Sequence, residues 1–212
     1  MRWSSLVSAA IMAGLCAACS SAPPPPPLQA PTDPAAACLA GLDQRHVVYE
    51  RLRDWHTPEG CGIQEAVRVR QSVTLWNHPG LLTCTMASRL WDFETQVVEP
   101  AAERNFGQKV RKMWNAGTYD CRHRRSDRPQ RMSEHAFGRA IDVTGFQLDD
   151  GRRVSVLRDW HGKGAKSVFL HEVAAGACRV FNVVITPDSN ALHRDHFHLD
   201  IGPYRYCIRP AG

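Results

Sequence analysis

The sequence predicts an α+β domain, a small and mostly antiparallel sheet packed against helices and stapled by disulfides. Three observations carry this. Two stretches space their apolar residues three and four apart, several short runs alternate apolar with polar, and six cysteines are scattered over residues 38–212.

The N-terminus comes first. A lone Arg2, an apolar stretch from Leu6 to Ala18 and small residues around Cys19 make residues 1–19 a secretory signal, too short to span a bilayer as a mature helix. "CAAC", Cys16 to Cys19, resembles a bacterial lipoprotein signal with Cys19 as the lipidated residue, although Cys16 stands where that pattern usually has leucine. The expected address is the periplasm, with anchoring to the outer membrane through Cys19. A metal or redox role for this CxxC is set aside, because it lies in the segment that is removed or buried in membrane. Residues 20–37, with Pro23 to Pro27, Pro31 and Pro34, form a semi-rigid polyproline linker, and the domain occupies 38–212.

Within the domain, "AVRVRQSV" alternates apolar with charged residues and is a strand. Leu82, Met86, Leu90, Phe93, Val97 and Ala101 then predict a long core helix between Pro79 and Asn105. "RAIDVTGFQL" and "RRVSVL" are strands separated by the turn signal "DDG". Phe169, Val173, Ala177 and Phe181 mark a second helix, ending before "NVVITPD", and "FHLDI" is a last alternating strand. An oxidising compartment makes Cys38, Cys61, Cys84, Cys121, Cys178 and Cys207 a disulfide framework. Proximity along the chain suggests the pairs Cys38–Cys61, Cys84–Cys121 and Cys178–Cys207.

The formal charge of +5 is concentrated in "CRHRRSDRPQR", with Arg122, Arg124, Arg125, Arg128 and Arg131. This patch meets an acidic polymer or a substrate carboxylate, or is a solvated loop. Nucleic acid is not expected as a partner, since no aromatics interleave the arginines and an exported protein meets little of it.

The chemistry lies near the C-terminus, in "HRDHFHLDIG". On a strand, residues two apart share a face, so His196, His198 and Asp200 project together while Phe197, Leu199 and Ile201 face the core. Upstream, "SEHAFGRAIDVTGF" places His135 before a glycine turn at Gly138 and Asp142 on a strand, so that the two can converge. His135, Asp142 and His198 together make a catalytic zinc shell with its fourth position open to water. In the bland alternative Asp142 caps or pairs with an arginine such as Arg139, and His135 is a satisfied loop residue. "HEVAA" lacks the second histidine of a zinc helix, no G-x-S-x-G elbow occurs, and six oxidised cysteines leave no thiol nucleophile.

Ser133, His135, Gly138, Ala140 and Asp142, followed by His193, His196 and His198, resemble the zinc peptidase superfamily of D-Ala-D-Ala metallopeptidases, lysostaphin-type endopeptidases and hedgehog amino-terminal domains. More closely, "YDCR", "SEHAFGRAIDV", "DGRRVSV" and "HRDHFHLDIG", with the cysteine spacing, resemble the bacterial extensin-like C-terminal domain family over most of residues 38–208. The resemblance implies zinc held by His135, Asp142 and His198. It also implies His196 as general base and His193 as a further active-site histidine. Other branches carry a glutamate where this chain has Asp195, which leaves the base open between His196 and Asp195.

The function so implied is an exported zinc peptidase hydrolysing amides of peptidoglycan stem peptides or cross-links. Arg122 would hold a substrate carboxylate bidentately or form a surface ion pair. The rival is a non-catalytic zinc-containing module that binds cell wall or protein, as in the hedgehog branch. Two imidazoles and a carboxylate also accept other divalent ions.

Overall fold

The computed structural model describes residues 33–124 and 131–207. The expected signal segment, Cys19, most of the proline linker, Arg125 and Arg128 lie outside the described residues. Among the described residues no helix is long and apolar enough to cross a membrane.

The chain runs α1 (Pro34–Gln44), β1 (Val48–Arg51), β2 (Trp55–His56), β3 (Gly62–Ile63), β4 (Ala66–Gln71) and β5 (Leu75–Thr83). One continuous helix follows, as α2 (Cys84–Phe93), a wider π turn (Glu94–Val98) and α3 (Glu99–Phe106). Next come β6 (Val110–Gly117), a short 3-10 turn (Glu134–Phe137), β7 (Ala140–Leu148), β8 (Arg153–Ser155), α4 (Val156–Asp159) and α5 (Ala165–Ala177). β9 (Val183–Ile185), a 3-10 turn (Ala191–His193), β10 (Phe197–Asp200) and β11 (Tyr206–Cys207) complete it.

Among the described residues the main sheet has nine strands in the order β1-β4-β5-β6-β7-β10-β9-β11, with β8 also paired to β7. Pairing is antiparallel except for β5 with β6 and β9 with β11, so the expected α+β class with a mostly antiparallel sheet holds. Alternation decides the faces. Val67, Val69, Ile141, Val143, Phe197 and Leu199 are buried and point into one core with Met86, Leu90 and Phe93 of α2 and Phe169 and Val173 of α5. Close helix packing needs Gly176, where a Cβ would stand 2.3 Å from Val97 Cγ1. The opposite face of β7 and β10 is left for the polar residues.

Two expectations are corrected. The long helix begins at Cys84 rather than Pro79, because residues 75–83 form β5 and Thr83 caps the helix by accepting from the Met86 N–H. Pro79 is tolerated in β5 because the ladder to β4 is irregular there and asks no N–H of it. The π turn lies just ahead of Pro100, whose missing N–H breaks the regular ladder, and Glu99 N–H reaches back five residues to the Glu94 carbonyl. The disulfides are Cys38–Cys84, Cys61–Cys121 and Cys178–Cys207. Only the last agrees with pairing by proximity. Cys38 lies on α1, which packs against α2, and Cys61 lies beside β3, which borders the 3-10 turn Glu134–Phe137.

Candidate metal centre

β7 and β10 pair antiparallel with Asp142 directly opposite His198, which places both side chains on the same open face of the sheet. His135 comes from the 3-10 turn before β7. Ser133 caps that turn, and Gly138 ends it in the left-handed conformation, φ 61°, turning the chain back into the strand. The 3-10 turn is tied to the end of β6 through His135 Nδ1, which lies 2.8 Å from the Thr118 carbonyl oxygen.

Three ligand atoms converge. His135 Nε2 lies 3.2 Å from Asp142 Oδ1 and 3.1 Å from His198 Nδ1, and the last two atoms are 3.0 Å apart. Ligand atoms about 2.0–2.1 Å from a tetrahedral zinc would lie about 3.3 Å from one another, so the triangle has the right size. Its electronics agree. The Thr118 carbonyl can only accept, so His135 Nδ1 carries the proton and Nε2 presents a lone pair. Asp200 Oδ2, 3.0 Å from His198 Nε2, fixes that ring the same way and turns its Nδ1 lone pair inward. Two nitrogen lone pairs and a carboxylate oxygen therefore face one point.

The three groups also lie within hydrogen-bond distance of one another. Burial pulls the His198 imidazole down, but hydrogen bonds to Asp142 and Asp200 outweigh it and hold it up at about 9. Burial likewise pushes the Asp142 carboxyl up, yet bonds from His135 and His198 win and hold it well below the usual carboxylate range. One proton cannot serve three converging atoms, whereas a divalent cation can, so the residues present fit a metal.

The other sequence-predicted residues gather around this triangle. His196 Nε2 stands 3.6 Å from Asp142 Oδ1, while its Nδ1 lies 2.9 Å from Asp195 Oδ1. His193 Nδ1 is 2.7 Å from Asn190 Oδ1, and its ring centre lies 5.0 Å from that of His196. Burial, with His196 and His198 adding repulsion, lowers the His193 imidazole to about 4. Arg122 donates through Nε to Asp120 Oδ2 at 2.7 Å and through Nη1 to the His123 carbonyl, yet still borders the site. Arg139 pairs with Glu134 at 2.8 Å, not with Asp142, so the proposed structural role for Asp142 is not the one realised. Beside the triangle opens a cavity of about 430 Å³, walled by Arg122, Arg124, Tyr204, Tyr206, Ile185 and Leu192.

Sequence reasoning assigned no role to the groups that orient these histidines. Asp200 was legible as a same-face neighbour of His198 two residues on. Asn190, three residues before His193, has the spacing of a turn cap. The Thr118 carbonyl carries no signal at all.

The extensin-like protein C-terminus family matches residues 36–208, which contain every residue of the site. The chain belongs to that family. No match was found among curated proteins or among solved structures.

Proposed function

We propose that this extensin-like domain is a zinc peptidase hydrolysing amide bonds of peptidoglycan stem peptides or cross-links. This reading sets it within the superfamily of D-Ala-D-Ala and lysostaphin-type peptidases. It works in the periplasm, with Cys19 as a lipid anchor and peptidoglycan rather than nucleic acid as partner. The observation that carries the reading is the lone-pair triangle of His135, Asp142 and His198 with the Nε2 of His196 beside it. A zinc ion held by the triangle would supply Lewis acidity, acidifying water and polarising the scissile carbonyl.

The chain's own residues do the rest. Asp195 holds the Nδ1 proton of His196, so Nε2 is the free base; it takes a proton from the attacking water and returns it to the leaving amine. This assigns the base to His196 and makes Asp195 its positioning residue. His193, held neutral by burial, hydrogen-bonds the substrate in the same cavity. Arg122, with Nε held by Asp120 and Nη1 by the His123 carbonyl, keeps Nη2 for a single contact to the substrate.

Metal content and muropeptide release test the proposal together. About one zinc per chain with cleavage of muropeptides, both lost in His198→Ala, supports it. Zinc bound by the wild type with no muropeptide altered would leave a non-catalytic wall-binding or protein-binding module as the better account.

A further inference from the structure

A second cavity, about 280 Å³, lies on the other side of the metal triangle. The strand order shows the arrangement. The first cavity covers β9 and β11 through Val183, Ile185 and Tyr206, whereas the second covers β6, β7 and β8 through Trp114, Thr144 and Arg153. The ligand pair of β7 and β10 stands between them. Both cavities open on one face. Ile185 is the ladder mate of His198, and Thr144 is two residues from Asp142 on the same strand. Asp195, bonded to His196, forms part of the second cavity's wall, so the proposed base sits at the junction.

The second cavity is built for an acidic, partly apolar ligand. Arg153 stacks over Trp114 at 4.5 Å, and the buried Trp114 Nε1 has no acceptor among the described residues. Arg153 and Arg158 form no ion pair among the described residues. Leu157 adds an exposed apolar side. On the first side, the guanidinium edge of Arg122 that would grip a terminal carboxylate is half occupied by Asp120, a poor design for capturing a chain end.

We propose that the chain is an endopeptidase. One arm of the substrate lies in the arginine and tyrosine cleft, and the other, bearing a carboxylate, lies against Trp114, Arg153 and Arg158. This rests on the peptidase reading. The bond changes are those of hydrolysis: the water oxygen bonds to the carbonyl carbon, the C–N bond breaks, and the water's proton ends on the released amine.

The test is steady-state kinetics of the zinc-loaded chain on a cross-linked muropeptide dimer and on the uncross-linked monomer with a free C-terminus. Dimer is expected to be preferred about tenfold or more in kcat/KM. An Arg153→Ala/Arg158→Ala variant, folded by its thermal melt, should raise KM for dimer about tenfold with kcat within about twofold, as loss of a charged contact predicts. Monomer cleaved as well as dimer overturns the endopeptidase assignment and leaves the peptidase reading intact. An unmoved KM in the double variant overturns the role of the second cavity. Cleavage of neither substrate by metal-loaded protein overturns the peptidase reading, and this inference with it.

Discussion

The orientation of His198 by Asp200 makes the sharpest prediction. Asp200 is buried and uses both oxygens, accepting from His198 Nε2 at 3.0 Å and from the Gly202 N–H at 2.8 Å. Asparagine has the same shape but one oxygen. If its NH₂ faces His198, the ring must move its proton to Nδ1, the atom aimed at His135 and Asp142, and the lone pair for the metal is lost. If the NH₂ faces Gly202, a buried backbone donor loses its acceptor at about 1–3 kcal/mol. Asp200→Asn should therefore weaken zinc binding about 10–100-fold, or about 1.4–2.7 kcal/mol, as groups behind metal ligands typically do. Competition against a chromophoric chelator near neutral pH measures it, with His198→Ala as the control that loses the ion. Wild-type affinity in Asp200→Asn, beside metal loss in His198→Ala, would refute the orienting role; full zinc in His198→Ala would refute the site.

Three further outcomes follow. His196→Ala should keep its metal while kcat falls about 10²–10⁴-fold, the usual scale for a general base, read from metal analysis beside muropeptide turnover. Glu94 is fully buried under the Thr74 N–H and Trp76 Nε1, and burial raises its carboxyl from 4.5 to about 7 against those bonds. Because the folded value is raised, its stability contribution is full below about pH 4.5 and lost as pH rises through 7, about 3 kcal/mol in all. Chemical denaturation across that window should show the slope in the wild type, and Glu94→Gln should flatten it; equal slopes would place the buried proton elsewhere. Gly138→Ala puts a Cβ 2.5 Å from Ile63 Cδ1 at φ 61°. It should cost about 1–3 kcal/mol in denaturant and weaken zinc binding through His135.

The parts of the fold legible in the sequence were those where one face is buried and the other solvated. Residues 66–71, 140–148 and 197–200 alternate for that reason, and their faces came out as expected. β5 was misread because Leu82 on the strand and Met86 on the helix are four apart and both enter the same core, so a strand end imitated a helical turn. β9 gave no alternation because Val183 and Val184, which point to opposite faces, are both buried. Disulfide partners depend on which helix crosses which, and chain distance does not encode that. Of the site, His135, Asp142 and His198 were legible from residue type and spacing, whereas a backbone carbonyl such as that of Thr118 cannot be.

The division of labour between strands and connections argues for an open rather than a closed metal shell. Two ligands are ladder mates in the middle of the sheet, where backbone pairing fixes their separation. The third is fixed by a capped turn and a carbonyl. A metal kept only for stability gains most from a fourth protein ligand as firmly held as these. The nearest further imidazole, His196, instead precedes β10 and is tethered through Nδ1 to an Asp195 side chain that is half exposed. Such a tether sets the tautomer and lets Nε2 exchange protons with water in the adjoining cavity. Rigid candidate ligands beside a solvent-coupled imidazole are what the proposed proton transfer requires and what a structural clamp has no use for.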